Sequence, residues 1–267
     1  MEAIAIKKMI EPIRKKMPRY GTEKLHLDIT DKLRQSNIRM GRDKFLKFCR
    51  NYHLLVPKTK RCFITTDSKH FYYKSPNRIK DIVVSHSEQV FVTDITYIKI
   101  EDKHAYLALV TDLYSKKIMG YKLDDNMKVA MVKEALTMAL KNCEHNHQNI
   151  IHHSDRGIQY CCPDYSEFAE NKAMILSTTE KYDPYENAVA ERINGILKYE
   201  FGLIKNIPSL TIANKMLKQA VEIYNNERRH CSLEMKTPNF AHTNQKHPYK
   251  SYKKKAKIET ARNVDKV

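Results

Sequence analysis

Val90-Phe91-Val92-Thr93-Asp94-Ile95-Thr96-Tyr97-Ile98-Lys99-Ile100 is the stretch from which the fold can be read. β-Branched and aromatic residues dominate it, as suits a pleated, half-buried strand. Asp94 is the exception. A strand interior is a poor place for a carboxylate, which must there be paired or metal-bound. Working outward, Ala105 to Thr111 and Lys117 to Leu123 read as two further strands, close enough in sequence to form an antiparallel meander. Residues 127–142 follow as a helix with Val129, Val132, Leu136 and Leu140 on one side. Asn149-Ile150-Ile151-His152-His153 is a short apolar strand that leads to Asp155. Helix (163–170), strand (173–177) and helix (186–201) complete the run, and a further helix spans Leu210 to Asn226. Three strands, helix, strand, helix, strand, helix is the order of a mixed sheet with helices packed on it.

Upstream, residues 1–57 read as a small helical domain. Leu25, Ile29 and Leu33 recur at helical spacing, a turn follows at 36–41, and a second helix runs from Arg42 to about Tyr52. Helix, short turn, helix with many basic residues fits a helix-turn-helix DNA-binding unit and fits a plain helical hairpin equally well. Residues 58–85 carry no long helical period and read as a linker or extended arm. The sheet-bearing core is placed at 86–205, a C-terminal helical extension at 206–245, and a basic tail, expected to be mobile, at 246–267.

The 267 residues hold 48 Lys and Arg against 31 Asp and Glu, a formal net charge of +17. A surplus of this size points to a polyanionic partner, nucleic acid first and an anionic membrane surface second. No stretch reaches the ~20 apolar residues a membrane helix needs, and the N-terminus lacks the pattern of a signal peptide. The six cysteines form no compact disulfide framework, so a reduced, cytoplasmic protein is the simplest account. His145, His147, His152, His153, Cys161 and Cys162 crowd into 18 positions, but no C-x2-C pairing is present and structural roles come ahead of zinc.

Three acids stand at informative places: Asp94 within the first strand, Asp155 just past the end of a buried strand, and Glu191 on a helix. Hard divalent cations take oxygen ligands and tolerate few carboxylates. Two such ions about 3.5–4 Å apart can activate a nucleophile and stabilise a leaving oxygen in phosphoryl transfer. Each acid taken singly could equally be a cap or a surface charge.

In this setting the chain resembles the OrfB-type insertion-sequence transposases, relatives of the retroviral integrases. Sixty residues separate Asp94 from Asp155 and 35 separate Asp155 from Glu191, the spacing usual in that family. The surrounding text is similar too: Val92-Thr93-Asp94-Ile95-Thr96-Tyr97-Ile98, then His153-Ser154-Asp155-Arg156-Gly157-Ile158-Gln159-Tyr160, then Asn187-Ala188-Val189-Ala190-Glu191-Arg192-Ile193-Asn194-Gly195-Ile196-Leu197-Lys198. Tyr20-Gly21, Ser75-Pro76-Asn77, Tyr224 to His230 and Thr237-Pro238 extend the likeness over nearly the whole chain. Two features depart from it. No Trp precedes the first strand, where Val90-Phe91 stands, and residues 179–186 are more charged than the usual Ser/Gly-rich version.

The resemblance implies a ribonuclease-H-like α/β core, a mixed five-stranded sheet with helices on both faces, preceded by the helix-turn-helix-like domain. It implies that Asp94, Asp155 and Glu191 are catalytic and bind two Mg²⁺ ions, for which Mn²⁺ can substitute. Water would free a 3′-OH at the element's end and that 3′-OH would attack a second phosphodiester, with no covalent protein–DNA intermediate. Lys198, two helical turns from Glu191 and on the same side, is then a DNA contact, with Arg156, Arg192, Arg228 and Arg229 as further candidates. The implied partners are double-stranded DNA (element ends and target), further copies of the chain on DNA, and an upstream-frame helix-turn-helix protein, alone or fused. Asp112 is a competing metal ligand, though a turn-shaping role is simpler, and His152 and His153 are expected to pack or hydrogen-bond. The alternatives are a ribonuclease-H-like nuclease that cuts without joining, and a decayed transposase that only binds DNA.

Overall fold

A computed structural model describes residues 2–57, 70–80, 82–144, 148–180 and 187–244. The sequence-based expectations for 58–69, for His145 and His147, for most of the charged stretch before Glu191 and for the tail fall outside the described residues. Five strands form one sheet: β1 (Val90–Ile100), β2 (Lys103–Asp112), β3 (Ile118–Asp124), β4 (Ile151–Ser154) and β5 (Ile175–Thr178). Their order is β3-β2-β1-β4-β5. The first three pair antiparallel, as the short connections between them require, while β4 joins β1 and β5 joins β4 in parallel. The mixed, helix-covered sheet expected from the order of elements is present.

Side chains alternate across a strand, and β1 shows what this does. Its even positions, Val90, Val92, Ile98 and Ile100, enter one core cluster, and Phe91 enters the other. The first cluster is covered by α7 (Ala188–Glu200) and α8 (Leu210–Asn226). The second is covered by α4 (Val129–Lys141), the short α5 (Ile158–Cys161) and α6 (Pro163–Glu170). Asp94, an even position, therefore faces α7. Strand β4 is buried at all four residues, as expected for a strand between parallel neighbours covered on both sides.

One close approach sets the spacing of the α4 layer. A Cβ on Gly120 would lie 2.1 Å from the carbonyl oxygen of Ala135 on α4, so only glycine lets the helix sit this near β3.

Three helices precede the sheet: α1 (Glu2–Lys16), α2 (Thr22–Gln35) and α3 (Arg42–Asn51). The last two stand where the helix-turn-helix pattern put them. Their apolar faces, including Leu25, Ile29, Leu33 and Phe45, belong to the same continuous cluster as α7 and α8. Polar links reinforce the docking: Lys16 pairs with Glu227 at 2.7 Å and Arg229 with Asp28, and the Arg19 amide donates to the Glu200 carbonyl.

The C-terminal extension adds α9 (Pro238–Thr243) after a 3-10 turn at Cys231–Leu233. Its His242 is buried, with Nε2 3.0 Å from Glu88 Oε1 and Nδ1 3.0 Å from Ser115 Oγ. Asp112 holds the same turn, accepting from the Ser115 amide and hydroxyl at 2.6 Å each and from the Glu88 amide at 2.7 Å. This is the turn-shaping alternative for Asp112, not a metal ligand. Among the described residues, no helix is long and apolar enough to cross a membrane.

Candidate active site

Register brings the two aspartates together. Thr93 of β1 is paired with Ser154 of β4 in parallel, so Asp94 and Asp155 each follow immediately on neighbouring strands. The Asp155 carboxylate is fixed by its own loop: the Gly157 amide donates to Oδ1 at 3.0 Å. A Cβ at Gly157 would stand 3.0 Å from that same oxygen, so the glycine keeps the loop closed around the acid. The two strands are tied further by the Thr93 hydroxyl, 3.4 Å from the His153 carbonyl.

Helix α7 supplies the third acid. Asn187, just before it, donates to the Thr93 carbonyl at 3.0 Å, which anchors the start of the helix beside Asp94. One turn on from Glu191, Asn194 Nδ2 donates to Asp94 Oδ2 at 2.7 Å. Glu191, Asn194 and Lys198 are three and four residues apart and so share one face.

The electrostatics report the convergence. The Asp94 carboxyl is raised well above the usual carboxylate range, by burial first and then by the charges of Asp155 and Glu191, with Asn194 opposing. Glu191 is raised by burial and by Asp155. Like charges gathered together resist ionising together. Among the described residues no three acid, histidine or cysteine side chains are closed into a preformed metal cluster.

The remaining sequence-chosen residues scatter. Lys198 and Arg156 are partly buried beside the acids' elements; Arg156 Nε donates to the Thr179 carbonyl at 2.6 Å, which ties its loop to the end of β5. Arg192 is exposed and points around α7 away from Glu191. Arg228 corrects its expectation as a DNA contact. It is 2% exposed, and its Nε and Nη2 donate to the two Glu200 oxygens at 2.8 and 2.7 Å, so a surface grip on DNA is not open to it. Arg229 is held by Asp28 and by the Met235 carbonyl.

His152 and His153 are buried and hydrogen-bonded to Tyr165 and Ser177. Where it is described, the arm is tied to the core by hydrogen bonds. His70 Nε2 meets the Arg156 carbonyl at 2.8 Å, the Ser75 carbonyl accepts from Thr178, and the Arg78 amide donates to Ser177. It lies along β5 beside the acids. Sequence reasoning did not single out Asn187 and Asn194; helical spacing from Glu191 marks the second.

Residues 84–184 match the integrase core domain, and a second model of the same description matches 173–238. The chain is 31% identical over 216 residues to the insertion element IS600 31 kDa protein of Shigella sonnei, covering 80% of this chain and 78% of that one. The chain belongs to the insertion-sequence transposases with an integrase core. It is thus an enzyme of the DDE transposase and integrase type, whose general activity is DNA cleavage and strand transfer. The transposase InsF for insertion sequence IS3A of Escherichia coli is 29% identical over 214 residues, 79% of this chain and 73% of that one. Against the IS629 transposase of Shigella sonnei the match spans 50% of that protein's length. The simian T-cell lymphotropic virus intasome structure shares the fold, with a TM-score of 0.51 at 18% identity over 85% of this chain and 72% of that one.

Proposed function

We propose that Asp94, Asp155 and Glu191 are the catalytic acids of this transposase, and that they hold two Mg²⁺ ions, with Mn²⁺ able to replace them. The observation that carries this is the meeting of three carboxylates from β1, the end of β4 and α7, close enough that Asp155 acts on both Asp94 and Glu191. An all-oxygen donor set suits hard divalent cations. Bound ions would activate the attacking oxygen and stabilise the leaving one. The chain's own part is positional. Asn194 and the Gly157 amide each fix one oxygen of an aspartate. Lys198, on the Glu191 face, would steady a phosphodiester there. First a water and then the freed 3′-OH would attack, so that cleavage and joining use one site.

Double-stranded DNA is the proposed substrate, bound by more than one copy of the chain, with an upstream-frame helix-turn-helix protein as a further partner. The exposed basic residues of α3, Lys44, Lys47 and Arg50, extend the DNA surface beyond the acids.

The test is incubation of the purified chain with labelled duplex from the ends of its own element, with Mg²⁺ or Mn²⁺, beside Asp155→Asn and Glu191→Gln. Metal-dependent cleavage leaving a 3′-OH, followed by joined product, both absent in the variants, is expected. Cleavage without joining in the wild type would favour the nuclease reading. Inactivity of both this chain and its fusion to the upstream frame, with DNA binding intact, would favour the decayed one.

A further inference from the structure

Helix α7 has a second working face. Val189, Ile193 and Ile196 lie on the side turned away from Glu191 and help to line a cavity of about 90 Å³, between α2, α7 and the segment after α8. Its polar lining comes from Lys24, Lys116, Arg192, Arg228, His230 and Ser232, without a carboxylate. Glu200 stands behind, bound to Arg228 and 3.9 Å from Lys24. Two polar atoms at this cavity are buried and meet no hydrogen-bond partner among the described residues: His230 Nε2 and Ser232 Oγ. The His230 side chain is 7% exposed.

Buried polar groups without partners are uncommon and costly. A buried ammonium, Lys24, whose carboxylate partner lies 3.9 Å away and is shared with Arg228 is costly as well. Both departures are removed by one kind of occupant. The volume is several times the ~10–15 Å³ that a single water requires, and the exposed Arg192 stands at its rim.

We infer that this cavity is a phosphate-oxyanion site, separate from the three acids, in which Arg192 and Lys24 supply charge and Ser232 Oγ and His230 Nε2 donate to the anion's oxygens. The lowered affinity of Lys24 for its proton agrees with it: burial first, then Arg228 and Arg192, push it down to about 8, a repulsion an anion would relieve. His230 is held neutral by burial and by the same cations, and a neutral imidazole can donate from Nε2. The anion is either a phosphodiester of bound DNA or a free phosphate group; the chemistry is shared.

The test uses the full chain and inorganic phosphate, followed by ³¹P line broadening at constant ionic strength. Broadening is expected in the wild type and in Lys215→Gln, an exposed α8 cation remote from the cavity lining. Arg192→Gln and Ser232→Ala, checked for folding by circular dichroism, should each bind phosphate about tenfold more weakly, the size of a lost charge-assisted hydrogen bond. If duplex DNA then releases the phosphate and Arg192→Gln also weakens duplex binding, the anion is the DNA backbone. If duplex leaves the phosphate bound, the site takes free phosphate. Absence of broadening in the wild type, or equal broadening in all four proteins, overturns the inference and makes the space a hydrated structural cavity. No metal or turnover enters this assay, so its failure is distinct from failure of the catalytic reading.

Discussion

Asn194 decides how the first carboxylate is presented, because its amide holds Asp94 Oδ2 at 2.7 Å. Groups that orient a metal ligand from behind typically matter about 10–100-fold in affinity or activity. Asn194→Ala should therefore lower metal-dependent cleavage by about that factor and raise the Mg²⁺ concentration required, while duplex binding measured without metal stays unchanged. At the same scale His152 makes the fold acid-sensitive. Burial first, then His153, pushes its imidazole down to about 3 from an ordinary 6.5, against the opposing effect of its own backbone. The folded state therefore holds the ring neutral while the unfolded chain protonates it. Its stabilising share is full above pH 6.5 and is lost as pH falls from there toward 3. Thermal melts at pH 7.5 and pH 5 should show a smaller acid drop in His152→Gln than in the wild type; an equal drop would clear this residue.

Among the elements, α4 is held to the sheet by the absence of a side chain. Gly120→Ala would drive a methyl to 2.1 Å from the Ala135 carbonyl, which something must move to accommodate. Overpacking of this kind costs about 1–3 kcal/mol, to be seen as a lower denaturation midpoint. The Arg228–Glu200 pair is the other joint. Burial disfavours both charges, yet the Arg228 hydrogen bonds, helped by Lys24 and Arg192, keep Glu200 below its ordinary range. Removing one partner of a buried pair strands the other, at about 3–5 kcal/mol. Glu200→Gln should unfold in urea well before the wild type, a loss larger than that of Lys16→Gln, whose bridge to Glu227 is half-exposed and worth little.

For the whole molecule, the helical N-terminal part and the sheet share one apolar cluster, so a single cooperative unfolding transition is expected across residues 2–244. Two resolved calorimetric transitions would show that the parts melt independently. With a net charge of +17, duplex binding should weaken by about tenfold or more from 50 to 200 mM salt, as counterion release demands. A flat salt response would argue that phosphate contacts are few.

The strand-helix order could be read from the residues alone. β1 is long, β-branched and interrupted by one acid, and local periodicity is a property of the chain itself. The spacing of Asp94, Asp155 and Glu191 was legible for the same reason, since a motif is linear. Tertiary structure alone decided three matters. It paired Thr93 with Ser154 and so made neighbours of two aspartates with 60 residues between them; register is a long-range relation. It took Arg228, indistinguishable in sequence from its exposed neighbour types, and buried it against Glu200; burial depends on what other segments cover. It turned two faces of α7 to different surroundings, Asp94 beside one and the cavity lined by Lys24, Arg228 and His230 beside the other, because a helix meets the residues that packing sets beside it rather than those next in sequence.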